Sequence, residues 1–314
     1  MSTVLVTGGA GFIGSHLADR LLAEGHRVIS VDDLATGRIA NLVDARGYGK
    51  EFTFFNMDVR ADGLLPLFER HRPEVVFHLA AQSGVRPSLE DPILDASINV
   101  MGTLNVLECA ARFETRKVIY AASGGTLYGE PRRLPARESS AQGSHPLSPY
   151  GISKKIVLDY LGFYQRYRGL DFTALALGNV YGPRQDPHGE AGVIAIFASR
   201  MLAAEPITIF GDGNQTRDYV FIDDVVHAFV QAFDRGPGKV VNIATGLESS
   251  VNHVFRLLAD ITGYDAEPAF GTLPPGELRR IALDIGSASN AIAWKPWTHL
   301  EDGLAETVAY LKGV

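Results

Sequence analysis

Tyr150 and Lys154 are the two residues of this sequence whose types and spacing are best suited to proton transfer. Residues four positions apart in a helix project from the same face, so the phenol and the ammonium would lie side by side. A phenol with a pKa of about 10 is a poor base at neutral pH, but a neighbouring ammonium stabilises the phenolate and lowers that pKa. We therefore expect the pair to accept a proton from a substrate hydroxyl. Taken alone, the same spacing also fits a packed tyrosine beside a solvated lysine.

A glycine-rich turn near the N-terminus has the composition of a phosphate-binding loop. It reads Thr7-Gly8-Gly9-Ala10-Gly11-Phe12-Ile13-Gly14, between an apolar run at 4–6 and an amphipathic segment. Gly8 allows the chain to turn sharply, Gly11 leaves room for a pyrophosphate, and Gly14 allows close packing of helix and strand. The N–H groups at the start of the helix would attract the phosphates. With a strand before it and a helix after it, the turn predicts a dinucleotide site, although its G-x-x-G-x-x-G spacing carries one residue more than the commoner pattern.

An aspartate at the end of the second apolar run indicates which dinucleotide is bound. Asp32 and Asp33 close the segment 28–33, at about the distance from Gly14 at which an acid accepts hydrogen bonds from the adenosine ribose. Because a carboxylate there repels a 2′-phosphate, we predict NAD rather than NADP. Arg38 lies near enough in sequence to keep NADP as an alternative.

The alternation of apolar and amphipathic segments predicts an α/β fold. Strands are expected at 52–59, 75–81, 117–123 and 172–177, with helices at 64–70, 93–112 and 150–168 between them. This order is typical of a Rossmann-like, doubly wound parallel sheet, whose ligands bind at the carboxyl ends of the strands. We assign residues 1–178 to an NAD-binding Rossmann domain. Residues 179–314, including a strand at 240–244, are assigned to a smaller C-terminal α/β substrate lobe with a soft boundary.

Composition excludes several classes of function. The 314 residues are 46% hydrophobic and 21% charged, with a net charge of -7, which gives no basic surface for nucleic acid or an anionic membrane. No apolar run approaches the roughly 20 residues of a membrane span. The one cysteine, Cys109, has no intramolecular disulfide partner. We expect a cytoplasmic protein that binds neither nucleic acid nor membrane.

The motifs together resemble the extended short-chain dehydrogenase/reductases, and among them the UDP-glucose/galactose 4-epimerase family of nucleotide-sugar epimerases. Besides the glycine turn, the resemblance rests on His78-Leu79-Ala80-Ala81, Ser123-Gly124-Gly125-Thr126-Leu127-Tyr128-Gly129, Ser148-Pro149-Tyr150-Gly151-Ile152-Ser153-Lys154, Asn179-Val180-Tyr181-Gly182-Pro183-Arg184-Gln185, Phe210-Gly211-Asp212-Gly213 and Arg217-Asp218-Tyr219. It extends over essentially the whole chain. It is more specific for the family than for the sugar.

The resemblance implies an isomerase with tightly held NAD. Tyr150 would take the proton from the C4 hydroxyl of a UDP-sugar while hydride passes to the nicotinamide, and the 4-keto sugar would turn over and be reduced on its other face. Lys154 would also hold the nicotinamide ribose. Many relatives place a serine where this chain has Gly124, so Thr126 or Ser123 must supply the partner hydroxyl. Of the two we favour Thr126.

The candidate site residues fall into two groups. The cofactor group comprises Gly8, Gly11, Phe12, Ile13, Gly14, Asp32, Asp33, Asp58, Val59, Leu79, Ala80, Ala81, Asn99 and Ala121, with Tyr150 and Lys154. The substrate group comprises Gln82, Arg86, Thr126, Tyr150, Asn179, Val193, Ile207, Phe210, Arg217 and Arg280. Pro274 stands where many relatives place a second diphosphate-binding arginine. We expect Arg184 or Arg280 to take over that role, and the alternative for either is an ordinary surface salt bridge. His188 and Glu190 lack further spaced ligands, so no metal is predicted.

Two other readings of the family resemblance compete with a 4-epimerase. A 4,6-dehydratase or decarboxylase requires an acid beside the catalytic threonine, whereas Thr126 is flanked by Gly125 and Leu127. A non-catalytic NAD-binding protein would have no need of the tyrosine–lysine pair. We therefore favour an epimerase.

The sugar and the assembly are the least specified features. We predict UDP-glucose and UDP-galactose because Asp186 stands where uronate-specific relatives tend to carry an arginine. UDP-glucuronate is the alternative, since Arg86 is available for a carboxylate and glycines leave room near C6; an aliphatic Ile281 at a gating position suggests some tolerance. Apolar residues on more than one side of the segments 93–112 and 150–168 predict a homodimer, which the family forms through these two helices.

Overall fold

A parallel β-sheet of seven strands forms the centre of the computed structural model, which describes residues 1–188, 192–272 and 278–313. In these residues the strands are β1 (Thr3–Thr7), β2 (Arg27–Asp32), β3 (Phe52–Asn56), β4 (Val75–His78), β5 (Lys117–Ser123), β6 (Asp171–Leu177), β7 (Asn179–Tyr181), β8 (Thr208–Phe210), β9 (Thr216–Arg217), β10 (Tyr219–Phe221), β11 (Lys239–Ile243), β12 (Ser249–Ser250) and β13 (Ala269–Gly271). The sheet order is β11-β6-β5-β4-β1-β2-β3. The predicted doubly wound fold is confirmed.

Helices cover both faces of the sheet and build the rest of the C-terminal half. They are α1 (Phe12–Ala23), α2 (Val43–Arg46), α3 (Leu64–His71), α4 (Val85–Glu90), α5 (Pro92–Ala96), α6 (Gly102–Arg112), α7 (Gly124–Leu127), α8 (Pro149–Arg168), α9 (Val193–Leu202), α10 (Ile222–Gln231), α11 (Val251–Thr262), α12 (Ala288–Ile292) and α13 (Leu300–Lys312). Short 3-10 turns occur at Ile39–Leu42, Gly49–Glu51 and Glu138–Ala141. A π-helical turn, Ser97–Met101, joins α5 to α6.

The central strands are apolar on both sides because helices cover both faces. All four residues of β4 are buried, as are the last four of β1. The chain runs from β1 through β2 to β3 on one side, and then returns to place β4 against the other side of β1. This reversal opens a crevice at the carboxyl ends of β1 and β4, where α/β sheets of this kind bind ligands.

The strand predicted at 240–244 belongs to the main sheet and not to the second lobe. The structure has it as β11, which pairs in parallel with β6, and its inner residues Val241 and Ile243 are fully buried. The two parts of the chain are therefore interleaved at this strand. The chain leaves the sheet after β6 and comes back to it after α10.

Two predicted strands and one helix differ from the observed elements near the crevice. The strands expected at 52–59 and 75–81 end early, at Asn56 and His78, because the residues that follow turn over the edge of the sheet. The helix expected at 93–112 contains the π-helical turn. Within that turn Asn99 is buried, and its side-chain amide bonds the backbone N–H and carbonyl of Gln82 at 2.9 Å each.

A buried aspartate ties the C-terminal half to the edge of the sheet. Asp218 accepts hydrogen bonds from the backbone N–H groups of Thr245 (2.8 Å), Gly246 (2.9 Å) and Leu283 (3.1 Å). These bonds hold the start of β10 against the residues that follow β11. No helix in the described residues is long and apolar enough to cross a membrane.

Candidate active site

The glycine-rich turn after β1 has the shape of a dinucleotide cradle. Gly8 has a φ of +70°, and a Cβ there would lie 2.8 Å from the backbone nitrogen of Ala80. A Cβ on Gly14 would overlap the carbonyl oxygen of Gly8. The fold itself therefore requires glycine at both positions. Gly11 differs, because its φ is −75° and a Cβ there would lie 3.1 Å from the Gly8 oxygen, a close contact that a small shift of the turn would relieve.

Helix α1 starts at this turn with its first N–H groups directed out of the helix end. Its N-cap residue, Gly11, makes no side-chain cap, and the first turn carries no acidic residue. The N–H groups of Phe12 and Ile13 belong to the set that has no partner within a helix. An anionic pyrophosphate matches both these donors and the positive end of the helix dipole.

Asp32 is placed to receive the adenosine ribose. It is 7% exposed at the end of β2, and its carboxylate accepts the backbone N–H groups of Ala10 (3.0 Å) and Leu34 (2.8 Å). Burial raises the pKa of this carboxyl, and these bonds oppose the rise. Arg38 forms an ion pair with Asp186 at 2.6 Å, so its charge already has an acidic partner. The residues present fit NAD.

Several other candidate cofactor residues make contacts within the protein. Asp58 accepts a hydrogen bond from Arg60 Nε at 2.9 Å, and the exposed Asp33 accepts the N–H of Ala35 at 3.0 Å. The Asn99 amide is committed to Gln82 and Asp95, so it shapes the wall of the crevice from behind. The remaining residues of the group, which lie at strand ends around the crevice, are Val59, Leu79, Ala80, Ala81 and Ala121.

The structure places Tyr150 and Lys154 on one face of α8, as their spacing predicts. Ser148 caps the helix by accepting the Gly151 N–H at 3.2 Å, which fixes the turn that carries the tyrosine. Lys154 is 3% exposed, and its Nζ donates to the Ala121 carbonyl at the end of β5 at 2.9 Å. The same Nζ lies 5.8 Å from the centroid of the Tyr150 ring. The phenol and the ammonium are thus neighbours in a buried environment.

Burial shifts the pKa of each group in the direction that favours its neutral form. It raises the pKa of Tyr150 to about 12, against a hydrogen bond with Ser123. It lowers the pKa of Lys154 to about 7, against the charge of Asp95. Burial is therefore the largest influence on the pKa of Tyr150, and the lowering expected from the Lys154 ammonium stays a prediction.

The hydroxyl bonded to Tyr150 comes from Ser123, although Thr126 was favoured from the sequence. Thr126 Oγ1 is buried and has no hydrogen-bond partner within the described residues. The glycine between them is required by packing. A Cβ on Gly124 would overlap Leu283 Cδ1 and lie 3.0 Å from the carbonyl oxygens of Ala176 and Leu177. A serine therefore does not fit at 124.

The tyrosine opens on a cavity of about 470 Å³ between the sheet and the C-terminal half. Seven residues of the substrate group line it: Arg86, Thr126, Tyr150, Asn179, Val193, Phe210 and Arg217. Thr208 and Ile209, which lie in the segment 207–210 expected near the uracil, line it as well, and the lining residues not predicted from the sequence are Ser83, Val85, Leu147, Ser148, Ile196, Phe197, Gln215, Tyr219, Val251 and Leu278. Most of these are apolar or carry an isolated hydroxyl, so nothing in the sequence distinguishes them from core or surface residues.

Three residues of the substrate group lie outside the cavity lining. Ile207 is fully buried in the core, and the Gln82 side chain donates to the Gly84 carbonyl at 3.0 Å. Arg280 forms an exposed, two-pronged ion pair with Glu248 at 2.7 and 2.8 Å. It is therefore engaged away from the cavity.

Two further residues that the sequence suggested for the substrate pocket, Arg184 and Ile281, also lie outside the cavity lining. Arg184 pairs with Asp19 at 2.7 Å and Asp44 at 2.8 Å, on the α1 side of the molecule. Ile281 is 1% exposed in the core and does not line the cavity. Pro274, the Gly276-Glu277 step and Glu190 lie outside the described residues.

Replacing Gly11 by alanine is expected to weaken NAD binding while weakening the fold much less than a methyl group at Gly14 would. Its backbone angles suit alanine, whereas the added methyl occupies the space left for the pyrophosphate. We expect the affinity for NAD to fall by at least about tenfold, the factor that about 1.4 kcal/mol of binding free energy produces. NAD content after dialysis and the melting temperature of the cofactor-free protein measure the two effects separately. Gly14→Ala is the comparison, because its methyl group overlaps the backbone and should lower both the NAD content and the melting temperature. Equal NAD retention by Gly11→Ala and the parent protein would refute the assignment of this turn as the NAD-binding cradle.

Comparison with known proteins agrees with this geometry. The family model described as "NAD dependent epimerase/dehydratase family" matches residues 4–244. A UDP-glucose 4-epimerase of Mycolicibacterium smegmatis is 46% identical over 309 residues, which is 98% of each chain. The structure of a UDP-glucose 4-epimerase with UDP-glucose from Thermotoga maritima superposes with a TM-score of 0.95 at 44% identity, covering 99% of both chains.

More distant relatives act on another sugar. A UDP-glucuronate 4-epimerase of Thermodesulfobacterium geofontis is 31% identical over 320 residues, covering 99% of this chain and 97% of the relative. The family match covers the cradle, the tyrosine–lysine pair and most of the sheet. The chain belongs to the NAD-dependent epimerase/dehydratase family.

Proposed function

We propose that the protein is an NAD-dependent UDP-hexose 4-epimerase that interconverts UDP-glucose and UDP-galactose. One observation carries the proposal: the Tyr150–Ser123–Lys154 group opens on a cavity whose described lining contains no acidic side chain. A 4,6-dehydratase or decarboxylase requires such an acid to eliminate or protonate. The greater similarity to UDP-glucose 4-epimerases than to the uronate enzyme supports the same choice.

The chain's own residues supply the proton chemistry and the positioning. Tyr150 accepts the proton of the C4 hydroxyl, and Ser123, hydrogen-bonded to it, shares that proton. The Lys154 ammonium lies beside the phenol. Its hydrogen bond to the Ala121 carbonyl fixes the lysine to the end of β5. When bound, NAD supplies the hydride acceptor and donor, together with a positive charge that favours the phenolate. Burial of the site keeps water from the oxidised sugar.

The sugar assignment rests on the charges that the cavity presents. Arg86 and Arg217 are its charged side chains in the described part of the chain. Arg217 donates to the carbonyls of Thr216 (2.9 Å) and Leu278 (2.8 Å), which places it near the nucleotide end. Arg86 is exposed, 5.9 Å from the centroid of the Phe210 ring at the mouth. A desolvated C6 carboxylate needs a closely held donor, so a neutral hexose fits better.

A panel of UDP-sugars assayed by product NMR tests the proposal. We expect UDP-glucose and UDP-galactose to interconvert, with UDP-glucuronate as the leading alternative substrate. A kcat/KM for UDP-glucuronate more than about tenfold above that for UDP-glucose would reverse the ranking, because it requires over about 1.4 kcal/mol of transition-state preference for the carboxylate. Turnover of no nucleotide sugar would favour a non-catalytic NAD-binding protein.

The proposed assembly is a homodimer in the cytoplasm. Helix α8 buries Val157, Leu161 and Tyr164 against its own sheet, yet Ile156 and Phe163 on its other side are 41% and 45% exposed. An exposed apolar face beside a buried one needs a second partner. The nearby segment from α5 to α6 exposes further apolar side chains, Ile93 and Met101. Sedimentation at micromolar concentration should give twice the mass of the 34.0 kDa chain, and a strictly monomeric mass would contradict the dimer.

The two candidate hydroxyls are expected to contribute differently to catalysis. Ser123→Ala removes the hydrogen bond to Tyr150, so kcat should fall by about tenfold or more. Thr126→Ala removes a hydroxyl with no partner in the described residues, and a smaller loss, mainly in KM, is expected. Steady-state kinetics on UDP-galactose measure both. A larger loss of kcat in Thr126→Ala than in Ser123→Ala would return the role to Thr126.

A further inference from the structure

A buried carboxylate, Asp95, lies behind the tyrosine–lysine pair and takes no part in the chemistry described above. It is 1% exposed in α5, just before the π-helical turn. Ser153 Oγ donates to it at 2.6 Å, Asn99 Nδ2 at 2.9 Å and Gln82 Nε2 at 3.4 Å. All three partners are donors, an arrangement that suits an ionised carboxylate, because a carboxylate only accepts hydrogen bonds. Burial raises the pKa of this carboxyl, and the hydrogen bonds from Ser153 and Asn99 oppose the rise.

The hydrogen bond from Ser153 connects this charge to the catalytic helix. Ser153 directly precedes Lys154 in α8, so its bond to Asp95 fixes the lysine's turn of α8 against α5. Within the described residues, the Lys154 ammonium donates a hydrogen bond to the carbonyl of Ala121. A buried ammonium with one hydrogen bond needs a further source of negative potential to remain charged.

The titratable groups that face Lys154 come from four elements. Asp95 lies on α5, Tyr150 on α8 itself, Tyr120 on β5 and His78 on β4. Burial lowers the pKa of His78 to about 3, so its imidazole is neutral. Tyr120 presents its ring, whose centroid is 4.7 Å from Nζ. Among these groups, Asp95 is the one whose charge raises the pKa of Lys154.

We propose that Asp95 is a positioning residue of the epimerase reaction, which holds α8 through Ser153 and keeps the Lys154 ammonium charged beside Tyr150. This inference rests on the proposed function for its catalytic consequence. Its electrostatic part, the effect of Asp95 on the charge of Lys154, does not depend on the reaction. The carboxylate does not line the sugar cavity, and besides α8 it contacts Asn99 and Gln82 in the wall of the crevice.

The variant Asp95→Asn removes the charge at nearly constant volume and is tested by two readouts. The first is the pKa of Lys154, followed by ¹³C NMR of lysine labelled at Cε in the full chain. Without the carboxylate the pKa should fall by about one unit or more, because nothing then offsets the burial of the ammonium. The second is the pH dependence of kcat on UDP-galactose. Its alkaline limb should move to lower pH, and kcat at pH 7 should fall by about tenfold with KM changed by less than about threefold.

Ser153→Ala separates the effect of the contact between α8 and Asp95 from the effect of the Asp95 charge. It is also the variant to measure if Asp95→Asn does not fold. It removes the hydrogen bond and leaves the carboxylate, so the Lys154 titration should stay in place while kcat falls by about threefold or more. An unchanged Lys154 titration in Asp95→Asn, or parent kcat in Ser153→Ala, would overturn the proposal. Because the NMR titration needs no turnover, failure of the epimerase assignment would leave the charge effect visible and would be recognised separately.

Discussion

Tyr150→Phe is expected to lower kcat on UDP-galactose by at least about 10²-fold, the lower range for loss of a general base. The phenyl ring keeps its place on α8, but the proton acceptor and its hydrogen bond to Ser123 are lost. KM should change little, because most of the cavity wall is unaltered. Initial rates from ¹H NMR of the sugar region give kcat and KM together.

Two controls decide how a loss in Tyr150→Phe is interpreted. The melting temperature should remain close to that of the parent protein, since removing a buried hydroxyl exposes no cavity. NAD content should also be unchanged. Near-parent activity with a folded, NAD-bound variant would remove Tyr150 from the mechanism.

Lys154→Met is expected to lower kcat by on the order of 10²-fold, as removal of one electrostatic contact to the reacting groups does in other enzymes. Methionine fills a similar volume without the ammonium, so Ala121 loses its donor and Tyr150 loses its cationic neighbour. The fold should persist at a lower stability, because Asp95 then remains buried without its cationic neighbour. NAD retention should weaken as well if the lysine holds the nicotinamide ribose.

The next residue provides a matched control for Lys154→Met. Lys155 donates to the Ser144 carbonyl at 2.6 Å, on the other side of α8 from the phenol. Lys155→Met removes the same charge from the same helix, and kcat within about twofold of the parent value is expected because surface charges contribute little. Equal losses in the two variants would show that net charge, and not the position of the ammonium, controls the rate.

The parts of the site that sequence predicted are those fixed by local spacing. The glycine turn, Asp32 and the Tyr150–Lys154 pair each belong to one strand end or one helix start, where residue type and backbone geometry are directly linked. The parallel sheet followed from the alternation of segments for the same reason. These features can be predicted without information on contacts between residues that are far apart in the sequence.

The parts that sequence missed depend on residues far apart in the chain. Ser123 supplies the hydrogen bond that lowers the pKa of Tyr150, and a Cβ at the neighbouring Gly124 would overlap Leu283 from the C-terminal half. Strand β11 joins the sheet through a long-range pairing with β6. Asp95 and Ser153 meet only when α5 packs on α8. No local pattern marks any of these contacts.

The most direct test of 4-epimerisation follows a deuterium label at C4 of UDP-galactose in ordinary water. The account predicts UDP-glucose that retains deuterium at C4, because the hydrogen removed from that carbon is returned to it within the same site without exchange. Product NMR resolves the C4 position in both sugars. UDP-glucose carrying solvent hydrogen at C4, or label in a dehydrated sugar, would contradict the account.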